Sequence, residues 1–255
     1  MKKVVIAGLA TSLIGIIMAT TAFCVARPGN IAWEDGKFVY SQNHKKKLTT
    51  ISLPTEVSTD QIKNIELSVA NTDVVIKHGS TFKIESNDSQ LKTPLIFDQN
   101  SGTLSLQSQS TKNSNLKINI TGFYDNSPQI VITIPDGFND KNLSISSTSG
   151  DIRLSESQLA VVTLKSQEGD IMLLGNSMKT ANVSNNDGDV IIKSEITDGG
   201  KISNDNGDIH VSSSKLPPYS VKTVNGDFMS SKNQIDNNDN ATLFINNNNG
   251  DISMS

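Results

Sequence analysis

Three stretches of the chain carry one pattern at a fixed interval. Residues 164–173 read LKSQEGDIML, residues 183–192 read VSNNDGDVII, and residues 202–211 read ISNDNGDIHV. In each stretch apolar residues stand two and four positions after the central glycine and five positions before it. Alternation of apolar and polar residues with a period of two is typical of short, half-buried strands. The pattern therefore predicts a repeating unit of two short strands joined at a Gly-Asp turn.

The Gly-Asp pair recurs through the second half of the chain. Its first five copies are evenly spaced, and the last follows after a slightly longer interval. We predict that these pairs are structural corners of the repeat, namely Gly150, Asp151, Gly169, Asp170, Gly188, Asp189, Gly207, Asp208, Gly226, Asp227, Gly250 and Asp251. A further apolar column, about nine positions after the glycine, contains Leu159, Met178, Ile196 beside Thr197, Leu216 and Ile235.

Two all-β folds are compatible with this repeat. Identical strands at equal intervals can stack as a parallel β-solenoid, in which each coil of about 19 residues covers the open face of its neighbour. The alternative is a meander of hairpins, because the pairs at 187–188, 206–207, 225–226 and 249–250 are Asn-Gly or Asp-Gly turn signals. Ser149-Gly150 and Glu168-Gly169 occupy the same place and are poor turns of that type. The uniform repeat length favours the solenoid, since every coil needs the same circumference.

The sequence divides into three segments. Residues 1–27 are a membrane anchor or signal segment, residues 28–60 read as a juxtamembrane spacer without a sustained pattern, and residues 61–255 form the solenoid domain. Within this domain we expect irregular coils over 61–140, capping the start of the solenoid, and regular coils over 141–255. The irregular part fits the same apolar columns less closely, through Ile65, Leu67, Val74 and Ile76 around Thr72-Asp73, and through Leu104 and Leu106 after Gly102.

The N-terminus predicts a membrane address. Lys2 and Lys3 precede an uncharged stretch of 23 residues, Val4 to Ala26, which is long enough to span a bilayer. The positive-inside rule then places the N-terminus in the cytoplasm and the body outside the cell membrane as a single-pass protein. Cleavage after Ala22 or Ala26 is the alternative and would give a secreted protein. The only cysteine, Cys24, follows Phe23 rather than the small residue of a lipobox, so it reads as an apolar residue of the membrane segment.

Composition and motifs argue against two classes of function. The net charge of −4 gives no basic stripe for phosphate contacts, so we expect no nucleic-acid partner. The sequence contains no His-Glu-x-x-His, no Gly-x-Ser-x-Gly and no phosphate-binding glycine loop. The three histidines, His44, His78 and His210, are far apart in sequence. We therefore expect a non-catalytic protein without a cofactor.

The aspartate column raises the question of metal binding. One carboxylate per coil supplies too few oxygens for a hard cation such as Ca²⁺, which takes six to eight. The structural interpretation is that glycine takes a positive φ at the corner and aspartate accepts a backbone N–H of its own turn. Three residues before each glycine stands a second polar column, predicted to form a hydrogen-bonded ladder, of Ser147, Ser166, Asn185, Asn204, Thr223 and Asn247.

These features resemble a bacterial envelope domain family of unknown function whose members are described as putative adhesins and occur in Gram-positive bacteria among others. The resemblance covers about residues 60–255 and adds to the Gly-Asp-Ile coils an N-terminal membrane segment and four preceding strand segments: Asn64–Leu67, Asp73–Ile76, Gly102–Leu106 and Ile132–Pro135. It implies a β-solenoid exposed at the cell envelope.

The expected function is therefore that of a surface module for adhesion or binding, which contacts the cytoplasmic membrane through its N-terminal helix and has a cell-wall glycan or an envelope protein as a further partner. An accessory component of an envelope-stress response, acting by contact with a membrane signalling protein, is the alternative. A polysaccharide-active enzyme is a third and weaker one.

Overall fold

From residue 30 onward, the regular structure of the described residues consists of strands and one short turn of 3-10 helix, Thr59–Gln61. The computed structural model describes residues 15, 18, 30–34, 37–41, 47–54, 57–87, 91, 95–108, 118–119, 128–231 and 240–255. The strands in these residues are β1 (Asn30–Glu34), β2 (Lys37–Ser41), β3 (Thr49–Ile51), β4 (Asn64–Asn71), β5 (Asp73–His78), β6 (Lys83–Ser86), β7 (Ile96–Asp98), β8 (Thr103–Gln107), β9 (Ile118–Asn119), β10 (Gln129–Ile134), β11 (Asn142–Ser149), β12 (Ile152–Ser155), β13 (Gln158–Glu168), β14 (Ile171–Asp187), β15 (Val190–Asn206), β16 (Ile209–Val211), β17 (Tyr219–Asn225), β18 (Phe228–Ser230), β19 (Leu243–Asn249) and β20 (Ile252–Met254). The all-β class expected from the sequence is confirmed.

The chain forms two compact units, residues 1–47 with 112–126, and residues 48–111 with 127–255. The first unit contains a three-stranded antiparallel sheet in the order β2-β1-β9. Residues 28–60, expected to be a spacer, thus contain β1 and β2 as a hairpin and β3 as a strand of the second unit. The sequence carries a signal for that hairpin, because Asp35-Gly36 stands between two β-prone runs.

The predicted membrane segment, Val4 to Ala26, lies outside the described residues except for Gly15 and Met18. Within the described part of the chain, no helix combines the length and the apolar character needed to cross a membrane. The anchor therefore remains a prediction from the sequence.

Parallel pairing organises the second unit. Leu164 pairs with Val183, and Val183 pairs with Ile202, so neighbouring strands are offset by one repeat. Each coil is named after its corner glycine. The first side of a coil ends at the Gly-Asp pair, which is the first corner. The second side follows this pair, and the second corner joins the second side to the third. The hairpin alternative is wrong, because β11 to β20 pair in parallel wherever the pairing is described. The corners turn the chain around the coil instead of reversing it.

Inward-facing columns build one continuous apolar core. The column two positions after the corner glycine is fully buried in five coils, with 0% exposure at Ile152, Ile171, Val190, Ile209 and Ile252. Burying a side chain of this size contributes about 1.5–3 kcal/mol relative to leaving it in water. The column about nine positions after the glycine is buried at Leu159, Met178 and Ile196, half-buried at Leu216, and lies outside the described residues at Ile235.

The last three coils do not stack in chain order. Ile245 of the Gly250 coil pairs with Ile202 on one side and with Val221 of the Gly226 coil on the other. The spatial order is Gly207, Gly250, Gly226, although the regular interval between Gly207 and Gly226 implies direct stacking. The final strands of the chain are therefore enclosed between two coils, and the Gly226 coil lies outermost.

The side chains of these coils explain this order. In the Gly250 coil, Leu243, Ile245, Ile252 and Met254 are all buried, at 5% exposure or less. The Gly226 coil instead places Ser230 in the position of Met254, and its other inward residues are only half-buried. Because apolar burial is the larger driving force, the more apolar coil occupies the interior and the more polar coil covers it.

An exchange of order also occurs at the start of the solenoid. Ile65 of β4 pairs with Leu143 on one side and with Leu104 of β8 on the other. Val74 of β5 pairs in the same way with Ile152 and with Ile130 of β10. The outermost layer is thus made of β8 and β10. The assignment of Leu104 and Leu106 to the side that follows the corner is wrong, since both lie on the first side, beside Ile65 and Leu67.

Antiparallel strands close this end. β6 pairs with β10, β7 pairs with β8, and β3 pairs with β6. The rings of Phe82 and Phe138 stack beside them with centroids 5.6 Å apart. In the turn between β7 and β8, the Ser101 hydroxyl donates to Asp98 Oδ2 at 2.7 Å and lowers the pKa of this carboxyl group.

Candidate functional site

The predicted corner glycines lie one above another at the first corner. At Gly188 φ is +126°, and a Cβ atom there would overlap the carbonyl oxygen of Gly169 in the neighbouring coil. Gly226 lies outside this positive-φ region, yet a Cβ atom there would overlap the carbonyl oxygen of Gly250. Close approach between coils therefore requires glycine at this corner even where φ does not.

The aspartates of the corners link the coils. Asp170 Oδ1 accepts the backbone N–H of Asp189 at 2.9 Å, and Asp189 Oδ1 accepts that of Asp208 at 2.9 Å. The same bond joins Asp73 to Asp151, Asp151 to Asp170, Asp208 to Asp251 and Asp251 to Asp227, in the spatial order of the coils. The expectation that each aspartate accepts from its own turn is wrong, since the acceptor serves the next coil. No cluster of three or more His, Cys, Asp or Glu side chains suited to a metal ion occurs in the described residues.

The buried polar column also binds backbone rather than forming the expected ladder of side chains. Asn204 Nδ2 donates to the carbonyl oxygen of Gly188 at 2.9 Å, and Asn185 and Asn247 contact Gly169 and Gly207 in the same way. Each of these asparagines is at most 2% exposed. Their Oδ1 atoms are buried without a hydrogen-bond partner in the part of the chain that the structure describes, so this column holds the corners of neighbouring coils at the cost of three unsatisfied acceptors.

The second corner forms an open groove, and it changes shape along the stack. In the Gly169 coil two residues, Gly175 and Asn176, occupy the corner, whereas the Gly188 coil has only Ser194 there. The missing residue produces a register shift between Leu174–Lys193 and Ser177–Glu195 pairing. The resulting depression has a volume of about 380 Å³ and spans four coils, and we call it the serine groove.

The floor of the serine groove is a column of buried polar side chains: Ser157, Asn176, Ser194 and Ser213. Asn176 is held by three contacts, since its Oδ1 accepts from the Ser157 backbone and its Nδ2 donates to Leu154 O and Ser194 Oγ. Lys193 and Glu195 flank Ser194 on the two walls. Apart from Gly175, every lining residue has a polar side chain, and the set carries both donors and acceptors.

Glu156 lies at one end of the serine groove in an unusual conformation. Its φ is +53°, and no other non-glycine residue among those described has a positive φ. Gly175 takes the equivalent position in the next coil with φ +67°, so glutamate replaces glycine at a left-handed corner position. Left-handed residues other than glycine, asparagine and aspartate are costly and concentrate at functional sites.

A smaller cleft of about 120 Å³ shares Glu156 with the serine groove, along with two neighbouring residues. It brings His78 to Asp136, with 3.1 Å between Nε2 and Oδ1. This pair could not be recognised in the sequence, because the two residues are far apart in the chain and meet only through the parallel pairing of β5 with β10. His210, on the second side of the Gly207 coil, contacts Ser253 at 2.7 Å. His44 lies outside the described residues.

The sequence reasoning missed the serine groove. It concentrated on the Gly-Asp columns, which the structure uses for contacts between coils. The available signal was a difference in length between two equivalent segments. Met178 stands nine positions after Gly169, whereas Ile196 stands only eight positions after Gly188, so the Gly188 coil has one residue fewer at this corner.

The parallel coils, the interlocked corners and the polar groove define a β-solenoid domain. The chain belongs to the Toastrack DUF4097 family, a family defined by a domain of unknown function, whose model matches residues 62–255. Among solved structures it is similar to a putative cell adhesion protein from Clostridium sporogenes ATCC 15579, with 11% identity, a TM-score of 0.43, and coverage of 82% of this chain and 97% of that chain. No curated protein matches the sequence.

Proposed function

We propose that this protein is a non-catalytic binding module, held at the outer face of the cell membrane, which takes its ligand in the serine groove and serves surface adhesion. The observation that carries the proposal is the register shift at the second corner. The Gly-Asp corners are closed by contacts between coils, whereas this one opens into a polar depression of about 380 Å³. In the ligand sites of proteins, polar groups placed in a concave surface fix the orientation of the ligand and provide specificity.

The placement of the carboxylates supports binding rather than hydrolysis. Glu156 and Glu195 belong to coils that are two layers apart, so two strand spacings put about 10 Å between them along the axis. Retaining glycosidases hold their two carboxyl groups at about 5–5.5 Å and inverting ones at about 6.5–9.5 Å, so this separation is far too long for retention and lies at the upper limit for inversion. A polysaccharide-active enzyme is therefore the weakest of the candidate functions.

The membrane address follows from Lys2, Lys3 and the apolar stretch from Val4 to Ala26. With an uncleaved anchor, the full chain should stay in the membrane fraction with Met1 at its N-terminus. Protease added to wall-free intact cells should then digest the body. Recovery from the medium of a chain that begins at residue 23 or 27 would replace the anchored module with a secreted one.

Binding is tested with the full-length chain in detergent micelles and with isolated Gram-positive cell walls, by co-sedimentation. The groove variant combines Lys193→Ala with Glu195→Gln, and the matched control combines Lys201→Ala with Glu168→Gln on the exposed first side. We expect wall binding by the parent and the control, and at least tenfold weaker binding by the groove variant. Equal binding by all three would remove the groove from the proposal, and no binding by the parent would remove the wall ligand.

A second candidate is contact with a membrane signalling protein, as expected of an envelope-stress component. It is favoured by large apolar side chains that are exposed in the last two coils, Val224, Met229 and Phe244 at 60%, 54% and 47%. The variant Val224→Ser/Met229→Ser should then abolish the stress response and leave wall binding unchanged. Loss of wall binding in this variant would assign these side chains to adhesion instead.

A further inference from the structure

The Ser194 hydroxyl in the floor of the serine groove can form one more hydrogen bond. Ser194 is 3% exposed, and its Oγ accepts two hydrogen bonds from Asn176, one from the backbone N–H at 3.1 Å and one from Nδ2 at 3.0 Å. A hydroxyl group has two acceptor positions and one donor proton. Both acceptor positions are filled, and no acceptor for the proton occurs among the described residues. Ser194 can therefore offer a ligand only a hydrogen-bond donor.

The two neighbours of Ser194 complete a mixed set of polar groups at the same level of the groove. Lys193 supplies a second donor on one wall, and Glu195 supplies a carboxylate acceptor on the other. Within the described ranges, the only hydrogen bond to this carboxylate is a long one of 3.4 Å from the Ser214 hydroxyl. Two donors facing a charged acceptor match a pair of adjacent hydroxyl groups, since each hydroxyl both donates and accepts.

The shape of the serine groove favours an extended ligand. It runs along the solenoid axis from the Gly150 coil to the Gly207 coil, and three strand spacings give a length of about 14 Å. Its floor presents a polar side chain at each coil, so similar groups recur at each step. A chain polymer with recurring hydroxyl groups fits such a series better than a compact molecule does.

The charge of the serine groove limits the class of ligand further. Glu156 and Glu195 outnumber Lys193, so the lining carries a net negative charge and disfavours polyanions such as phosphate or uronate polymers. The lining contains no aromatic side chain among the described residues, so a sugar ring gains no stacking contact and each binding event is weak. Weak sites suit a surface protein present in many copies, because linked contacts raise the overall affinity.

We infer that the serine groove binds an uncharged, hydroxyl-rich glycan chain, with Lys193, Ser194 and Glu195 contacting adjacent sugar hydroxyls. This inference rests on the proposed binding function and specifies its ligand. The source of the glycan, a wall backbone or another surface polysaccharide, is resolved by the choice of sugar in the test.

The test measures binding of tetrasaccharides to the full-length chain in detergent by titration calorimetry. The probes are β-1,4-linked N-acetylglucosamine for a wall backbone, β-1,4-linked glucose for another neutral glycan, and α-1,4-linked galacturonate as the anionic comparison. The variants are Ser194→Ala and Glu195→Gln, with Ser184→Ala as the control on the outward face of the first side. Glu195→Gln changes a wall side chain and keeps the test valid if Ser194→Ala fails to fold.

We expect at least one neutral tetrasaccharide to bind, at least tenfold weaker binding by Glu195→Gln, no change in Ser184→Ala, and no binding of galacturonate. Galacturonate binding as tight as that of the neutral sugars would overturn the inference. Neutral-sugar binding that Glu195→Gln leaves unchanged would overturn it as well. If the chain sediments with cell walls but binds none of the neutral sugars, the inference fails and the proposed binding function stands.

Discussion

Ile202 pairs with Ile245 of the last coil in the chain, whereas Val221, exactly one repeat after Ile202 in sequence, lies one coil further away. Sequence interval therefore does not determine which coils are neighbours in this solenoid. The Gly250 coil offers four buried apolar side chains and a buried asparagine, Asn247, whose side chain donates to the carbonyl oxygen of Gly207. The Gly226 coil has Thr223 at that place and bonds Gly250 instead.

Engineered disulfides test the coil order. Ser203 and Asn246 are paired across adjacent parallel strands, about 4.8 Å apart, which is within the range that a disulfide bridges. With Cys24→Ser as background, Ser203→Cys/Asn246→Cys should therefore oxidise to an intrachain disulfide, detected as a mobility shift on non-reducing gels.

The matched control is Ser203→Cys/Lys222→Cys. Lys222 pairs with Asn246 from the other side, so two spacings of about 10 Å separate it from Ser203 and no disulfide should form. Rapid oxidation of this pair, with none in the first, would show that the coils stack in chain order after all.

The sequence was sufficient to predict the regular part of the fold. Period-two columns such as Leu164, Val183 and Ile202 identify strands and their inward faces because each must be buried in turn. The exchanged coil order could not be predicted in this way, because Gly226 and Gly250 carry the same corner signal. The two coils differ at one inward position, where the Gly250 coil has the apolar Met254 and the Gly226 coil has the polar Ser230. This difference affects the order only when both coils can pack against the same neighbouring coil.

The candidate site was less accessible from sequence. The serine groove depends on a single missing residue at Ser194. Such a deletion is hard to recognise in the sequence, because the pattern of apolar residues continues on both sides of it. The pair of His78 with Asp136 depends on the stacking of β10 on β5, which no local signal announces. The aspartate contacts were misassigned because local turns and neighbouring coils offer the same donor, a backbone N–H.

Gly188→Ala tests the first corner. A side chain there meets both an unfavourable φ of +126° and the carbonyl oxygen of Gly169, so we expect destabilisation by about 1–3 kcal/mol. Thermal denaturation should show a decrease of about 2–4 °C for each kcal/mol in a chain of this size. Gly137→Ala is the control, since φ is +87° there and the added atom meets nothing within 4 Å. An equal loss of stability in both variants would show that the close contact with the Gly169 carbonyl oxygen does not contribute.

Glu156→Gly should stabilise the protein. The left-handed φ of +53° costs an L-residue about 1–2 kcal/mol, and the greater entropy of unfolded glycine offsets about half of this gain. The expected net gain is about 0.5–1 kcal/mol, measured by urea denaturation. Glu156→Gln keeps the backbone cost and removes only the charge, so its stability should stay at the parent value. A gain in the glutamine variant alone would assign the cost to charge and not to conformation.

Asp189→Ala tests the contact between coils at the aspartate column. Asp189 Oδ1 accepts the Asp208 N–H at 2.9 Å, and loss of the acceptor should cost about 1 kcal/mol. Asp189→Asn keeps an oxygen in the same place and removes one of several stacked negative charges, so it should be at least as stable as the parent. The melting temperature of the parent should be the same in millimolar calcium and in excess chelator, because one aspartate per coil supplies too few oxygens for a calcium site. A calcium-dependent increase that is lost in Asp189→Ala combined with Asp208→Ala would instead make the column a metal site, since a ligand that binds only the folded state raises its stability.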